Sequence, residues 1–210
     1  MHTAALRHLR AVDPRLAAVI SHVGPCRMTP HREGTHFDAL IRAIVYQQLS
    51  GKAAATIHRR VLEIYGGRPP APAELLATPD EPLRAAGLSR QKLAYLRDLA
   101  GHVHAAALPL DRVEALDDDT ILDALVAVKG IGRWTAQMFL MFRLGRPNVL
   151  PELDLGIQKG IQVAYRMRTR PTPVQVRRIG GRWAPYASVA SWYLWRLLDQ
   201  REGFEPAPRR

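Results

Sequence analysis

Two short stretches of this 210-residue chain combine residue types that could do chemistry. In Lys129-Gly130-Ile131-Gly132-Arg133, two glycines flank one apolar residue and a cation stands at either end. Glycines supply positive φ angles and allow close approach of backbone to backbone. Such a turn, running into a helix, can aim its amides together with the first amides of the helix at an anion such as a phosphate. In Pro151-Glu152-Leu153-Asp154-Leu155-Gly156, Asp154 falls at a helix start, where amides keep a carboxylate ionised. An ionised carboxylate there can stand against positive charge that develops during a reaction. Each stretch also has a plainer reading, a turn between core helices for the first and a helix N-cap for the second.

The elements around them must place both groups. Ile121, Leu122, Leu125 and Val128 share one helical face, which predicts a helix over Thr120 to Val128, with Ile131 plugging the gap before a second helix from Arg133. That helix continues through Met138, Phe139, Met141 and Phe142 to Gly145. Further helices are expected from Thr3 to Val23 with a break at Asp13-Pro14, after caps at Thr35, Ser50 and Ser89, and over Pro72 to Ala77 and Asp80 to Ala86. Asp154 to Tyr165, a Pro-capped helix from Pro173, and Pro185 to Leu198 complete the set. No segment alternates as a strand would, so the class is all-α. The stretch 1–34 is expected to pack with 144–200, and 35–143 to form a central helical lobe that includes the hairpin at 120–143. The stretch 201–210 is expected to be a loose tail.

Composition narrows the partners. Lys and Arg number 30 against 19 Asp and Glu, a formal charge of +11 that favours a polyanion. Cys26 is the only cysteine, so neither an internal disulfide nor a cysteine-ligated zinc or iron–sulfur site can form. The eight histidines show no metal-ligand spacing. No apolar run reaches the ~20 residues of a membrane span, and the N-terminus lacks the apolar core of a signal peptide. A cytoplasmic, nucleoid-associated protein without membrane contact is expected.

The pattern Leu125-x-x-Val128-x-Gly130-Ile131-Gly132-x-x-Thr135-Ala136 resembles the hairpin of the helix-hairpin-helix (HhH-GPD) DNA glycosylase superfamily. Gly130-Ile131-Gly132-Arg133-Trp134-Thr135-Ala136 and Ile44-Val45-Tyr46-Gln47-Gln48-Leu49-Ser50-Gly51 are similar to its AlkA-like, 3-methyladenine-DNA glycosylase II branch. The resemblance implies a two-lobed helical fold with the active site in the cleft between lobes and, here, no N-terminal β-domain. It further implies a monomer that flips alkylated bases, chiefly 3-methyladenine and 7-methylguanine, out of double-stranded DNA and hydrolyses their N-glycosidic bond in base-excision repair. A glycosylase for oxidised or deaminated bases, and a non-catalytic DNA-binding module, are the alternatives.

By the same resemblance Asp154 is the catalytic carboxylate. Close relatives often have a second acid where this chain has Leu153, which makes Glu152 the weaker candidate. Lys129, Gly130, Ile131, Gly132, Arg133 and Thr135 would hold the DNA backbone, possible company for a monovalent cation on hairpin oxygens; no other cofactor and no metal ligand set is expected. Members that also cut the backbone place a lysine where this chain has Trp134, and an indole cannot form the Schiff base, so no lyase activity is expected. Trp134, Met138 and Trp195 are implied as the wall of the base pocket, with Met138 and Arg196 replacing aromatics found in some relatives. Trp183, Tyr186, Trp192 and Tyr193 read better as core. Gln48 or Leu49 would fill the gap left by the flipped base.

Overall fold

A computed structural model of the chain describes residues 2–207 and contains no strand among them. In chain order the helices are α1 (Thr3–Val12), α2 (Pro14–Val23), α3 (His36–Tyr46), α4 (Gly51–Ile64), α5 (Pro72–Ala77) and α6 (Asp80–Ala85). They continue with α7 (Arg90–His104), α8 (Asp118–Val126), α9 (Arg133–Phe142), α10 (Leu155–Ala164), α11 (Pro173–Gly180) and α12 (Ala187–Asp199). The all-α reading stands. Short 3-10 turns at Val113–Ala115 and Gly181–Trp183 were not anticipated.

The polar caps explain most of the starts. Thr35, Ser50, Ser89 and Asp117 each accept a backbone N–H two or three residues into the helix that follows. Asp117 starts α8 earlier than the apolar spacing suggested, because its side chain caps the Thr120 amide at 2.8 Å. Pro at N1 opens α2, α5 and α11.

The chain divides into two compact units, residues 1–30 with 140–210 and residues 31–139, and the boundary falls within α9. In the first unit α1, α2, α10, α11 and α12 bury one core around Leu9, Leu16, Ile20, Ile161, Trp183 and Leu194. Asp13 ties its distant segments together. One carboxylate oxygen caps α2 by accepting from the Arg15 and Leu16 amides at 3.1 Å each. The other accepts from Trp183 Nε1 at 2.8 Å and from the Tyr165 hydroxyl. Burial, then the charge and bond of Asp13, hold the Tyr165 phenol far above its ordinary pKa. Removing the carboxylate would strand three kinds of donor in an apolar core, a cost of ~1–3 kcal/mol for each group left unpaired.

Phe204 packs edge-on against His22 and joins the first unit's core, and Arg166 donates to the Pro206 carbonyl at 2.9 Å. Residues 208–210 lie outside the described part of the chain.

In the second unit α3 and α7 bury Leu40, Ile41 and Ile44 with Leu93, Leu96 and Leu99, and α8 adds Ile121 and Leu125. This core holds the hairpin between α8 and α9.

Candidate active site and nucleic-acid interface

Asp154 is the N-cap of α10, and its Oδ1 accepts from the Ile157 amide at 2.7 Å. The same oxygen accepts from Trp195 Nε1 at 2.9 Å. Trp195, on α12, is tilted by 34° against the Phe142 ring at 5.9 Å. The indole implied as a pocket wall therefore also orients the carboxylate. Two donors on one oxygen fix the rotation of the carboxylate about its own bond.

Two glycines one turn apart let α12 come this close. A Cβ on Gly156 would lie 2.8 Å from Trp195 Cδ1 and 3.0 Å from Asp154 Oδ1, and one on Gly160 would lie 2.9 Å from the Leu194 carbonyl oxygen. Neither glycine was singled out in sequence, because inside a helical pattern a glycine looks like a tolerated defect.

Glu152 takes a different part. It is buried, its carboxylate lies 3.3 Å from Arg177 Nη1 of α11, and its backbone carbonyl accepts from Gln158 Nε2 at 3.0 Å. It braces the loop that presents Asp154. Leu153 and Leu155, on either side of Asp154, are 51% and 62% exposed, so the carboxylate sits on an open apolar surface. Arg196 lies over the Trp192 ring and pairs with Asp199 at 2.9 Å. Trp183 and Tyr193 are fully buried, while Tyr186 and Trp192 are partly buried against the same core.

In the second unit Gly130 has φ 83° and Ile131 is 3% exposed between the hairpin helices. Gly132 is not in the left-handed region, contrary to the expectation of two such glycines: the turn reverses with a single left-handed residue, and a Cβ on Gly132 would meet nothing within 4 Å. The requirement at Gly130 is severe, since a Cβ there would lie 2.2 Å from the Tyr95 ring. The hairpin amides divide. Lys129 N–H donates to Asp98 Oδ2 at 2.8 Å and Ile131 N–H to the Val128 carbonyl at 3.1 Å, whereas those of Gly130 and Gly132 make no hydrogen bond among the described residues. Lys129, Gly132 and Arg133 are exposed.

One face of α7 holds this region. Lys92, Tyr95 and Asp98 recur every three residues, so successive turns present them together. The Lys92 ammonium donates to the Val45 and Gln47 carbonyls at 2.5 and 2.8 Å, and its burial lowers its pKa. The Gln47 amide donates to the Gly130 carbonyl at 2.8 Å. Asp98 also has the Lys129 ammonium 3.4 Å away. Burial pushes the Asp98 carboxyl up, but the Lys129 bonds and the nearby Lys129 and His102 charges outweigh it and hold it below the ordinary range. Gln47, read earlier as part of the loop, thus joins that loop to the hairpin, and the α7 residues were missed altogether.

Beyond Gln47 the loop points outward. Gln48 adopts φ 56°, an uncommon strain for a non-glycine residue. Leu49 is 40% exposed. Trp134, in the first turn of α9, is 49% exposed, and Met138 one turn on is half-buried.

Among the described residues no group of three or more His, Cys, Asp or Glu side chains could hold a metal ion. Of the hairpin carbonyls, those of Val128 and Gly130 each accept one bond and keep a second lone pair. No helix of the described residues is long and apolar enough to cross a membrane.

The sequence pattern of HhH-GPD superfamily base excision DNA repair proteins matches residues 41–185. DNA-3-methyladenine glycosylase 1 of Schizosaccharomyces pombe is 34% identical over 209 residues, covering 97% of this chain and 91% of that one. The crystal structure of DNA-3-methyladenine glycosidase from Bacillus halodurans is similar at TM-score 0.84 and 38% identity, over 92% of this chain and 88% of the other. The Schizosaccharomyces pombe 3-methyladenine DNA glycosylase in complex with abasic DNA is similar at TM-score 0.79 and 33% identity, over 94% and 97% of the two chains. With a carboxylate-capped helix after a glycine hairpin and a family match across most of its length, this chain belongs to the HhH-GPD superfamily of base excision DNA repair proteins.

Proposed function

We propose that the chain is a monofunctional DNA glycosylase that hydrolyses the N-glycosidic bond of alkylated purines, chiefly 3-methyladenine and 7-methylguanine, in duplex DNA. The observation that carries this reading is Asp154, whose carboxylate is oriented by the Ile157 amide and the Trp195 indole at an exposed helix start. The names of the related Schizosaccharomyces pombe and Bacillus halodurans proteins support the same lesion class.

The chemistry follows from charge. An N3- or N7-alkylated purine is already cationic, so when its bond to C1′ breaks the bonding electrons neutralise it and it leaves without an acid. The positive charge passes to the sugar. Asp154 stabilises that oxocarbenium-like state and orients the water that attacks C1′. The exposed Trp134 indole offers its π face to the cationic base. It supplies no amine for a Schiff base, so the product is an intact strand with an abasic site. The unbonded Gly130 and Gly132 amides, beside Lys129 and Arg133, suit a backbone phosphate, and Gln48 and Leu49 suit the space a flipped nucleotide leaves.

The test is release of free bases from methylated duplex DNA by the wild type and Asp154→Asn, with the product strand probed before and after alkali. Wild-type release of 3-methyladenine with breaks only after alkali is expected. Asp154→Asn should bind lesion DNA but excise at least ~100-fold more slowly, the scale of losing one preorganised electrostatic group. Undiminished turnover by that variant would move the role away from Asp154. Breaks without alkali would overturn the monofunctional reading.

A further inference from the structure

The whole formal charge of the chain sits in one of its two units. Residues 1–30 and 140–210 hold 17 Lys and Arg against 6 Asp and Glu, a net +11, while residues 31–139 hold 13 of each and are neutral. The unit that carries the hairpin thus has no net charge to draw a polyanion, and Lys129 itself faces Asp98. In the charged unit no acid occurs between Asp154 and Asp199, although eight Lys and Arg do. Six of those are arginines between 166 and 182, from the segment that enters α11, along α11, and into the 3-10 turn that follows it.

Arg168, Arg170 and Arg178 are exposed and make no ion pair among the described residues. Their neighbour Arg177 holds Glu152, two residues before Asp154, so this face of α11 is braced against the loop that presents the carboxylate. Arg168 and Arg170 stand in the segment that enters α11, and Arg178 in its last turn. Guanidinium forks match phosphate oxygens in pairs. A protein-docking patch would have an apolar centre, and here Val174 is the only large apolar side chain of α11 with high exposure.

We propose that Arg168, Arg170 and Arg178 form a second surface for the duplex DNA backbone, distinct from the hairpin, and that it supplies a large part of the salt-dependent hold on DNA. The proposal rests on the reading of the chain as a DNA glycosylase. Its test does not depend on catalysis.

The experiment measures affinity for an undamaged duplex as a function of salt for the wild type, R168Q/R170Q/R178Q and R7Q/R10Q/R27Q. The second triple removes the same charge from exposed positions of the same unit. Each lost phosphate contact lowers the log-affinity slope against log salt by ~0.9, so the α11 triple should lose ~2.7. The control should keep the wild-type slope, and thermal unfolding should confirm that both triples are folded. An unchanged slope in the α11 triple, or an equal fall in the control, overturns the proposal. Base release by the wild type is scored separately. Release with an unchanged slope defeats the surface alone, whereas a fallen slope without release upholds the surface and defeats the glycosylase reading.

Discussion

The indole N–H of Trp195 donates to Asp154 Oδ1 across 41 residues of sequence, on the oxygen that already accepts the Ile157 amide. This fixes the rotation of the carboxylate, and only the missing side chain of Gly156 makes room for it. Trp195→Phe keeps an aromatic ring beside Phe142 but removes the donor. A hydrogen bond to a charged group contributes ~1.5–3 kcal/mol, so the single-turnover excision rate should fall at least ~10-fold with little change in affinity for undamaged duplex. Gly156→Ala should slow excision similarly, because its Cβ would push the indole or the carboxylate aside. Combined, the two changes should cost less than the sum of their separate effects, since both break one contact. Strict additivity of the rates would show that Trp195 and Gly156 act independently.

The two hairpin glycines should fail differently. Gly130→Ala places a methyl against the Tyr95 ring at a positive φ and should lower stability by ~1–3 kcal/mol, visible as a lower unfolding temperature. Gly132→Asp meets open space, so the fold should survive. It should weaken binding to damaged and undamaged duplex alike by setting a negative charge at the unbonded amides. Weakening confined to one lesion would remove Gly132 from the phosphate site.

Lys92 secures the loop that carries Gln48 and Leu49. Lys92→Met keeps most of the side-chain length but leaves the Val45 and Gln47 carbonyls without their donor. Excision from duplex DNA should drop several-fold more than excision from a single strand, where no gap has to be filled. Equal losses on both substrates would mean that the loop has no part in base flipping.

Asp98 makes the hairpin anchor sensitive to acid. Its folded pKa is depressed, so its contribution is fully present above the unfolded value of ~3.9 and is lost as pH falls through the lower folded value. The unfolding temperature of wild type should exceed that of Asp98→Asn by a constant margin above about pH 5 and converge with it below about pH 4. A margin that persists at low pH would assign the stabilisation to something other than the charge.

Much of this molecule was legible in its residues. Helix starts followed from Thr35, Ser50, Ser89, Asp154 and Pro173, because a cap acts on amides two or three residues away and needs no tertiary partner. The helical faces followed from apolar spacing, and the hairpin and Asp154 stood out because they resemble the motif of the superfamily. These are local signals, and the chain carries them whatever surrounds it.

What only the tertiary structure decided lies in contacts between distant segments. Gly156 and Gly160 appear as weak spots in α10 until α12 is seen lying against them. Glu152 reads as a second candidate acid until Arg177 is found beside it. Lys92, Tyr95 and Asp98 look like an ordinary polar face of α7, and their partners are 31 to 47 residues away for the bonded pairs. Spacing along a chain reports which side chains share a face. Which carbonyl, ring or amide that face meets is settled only when the helices pack.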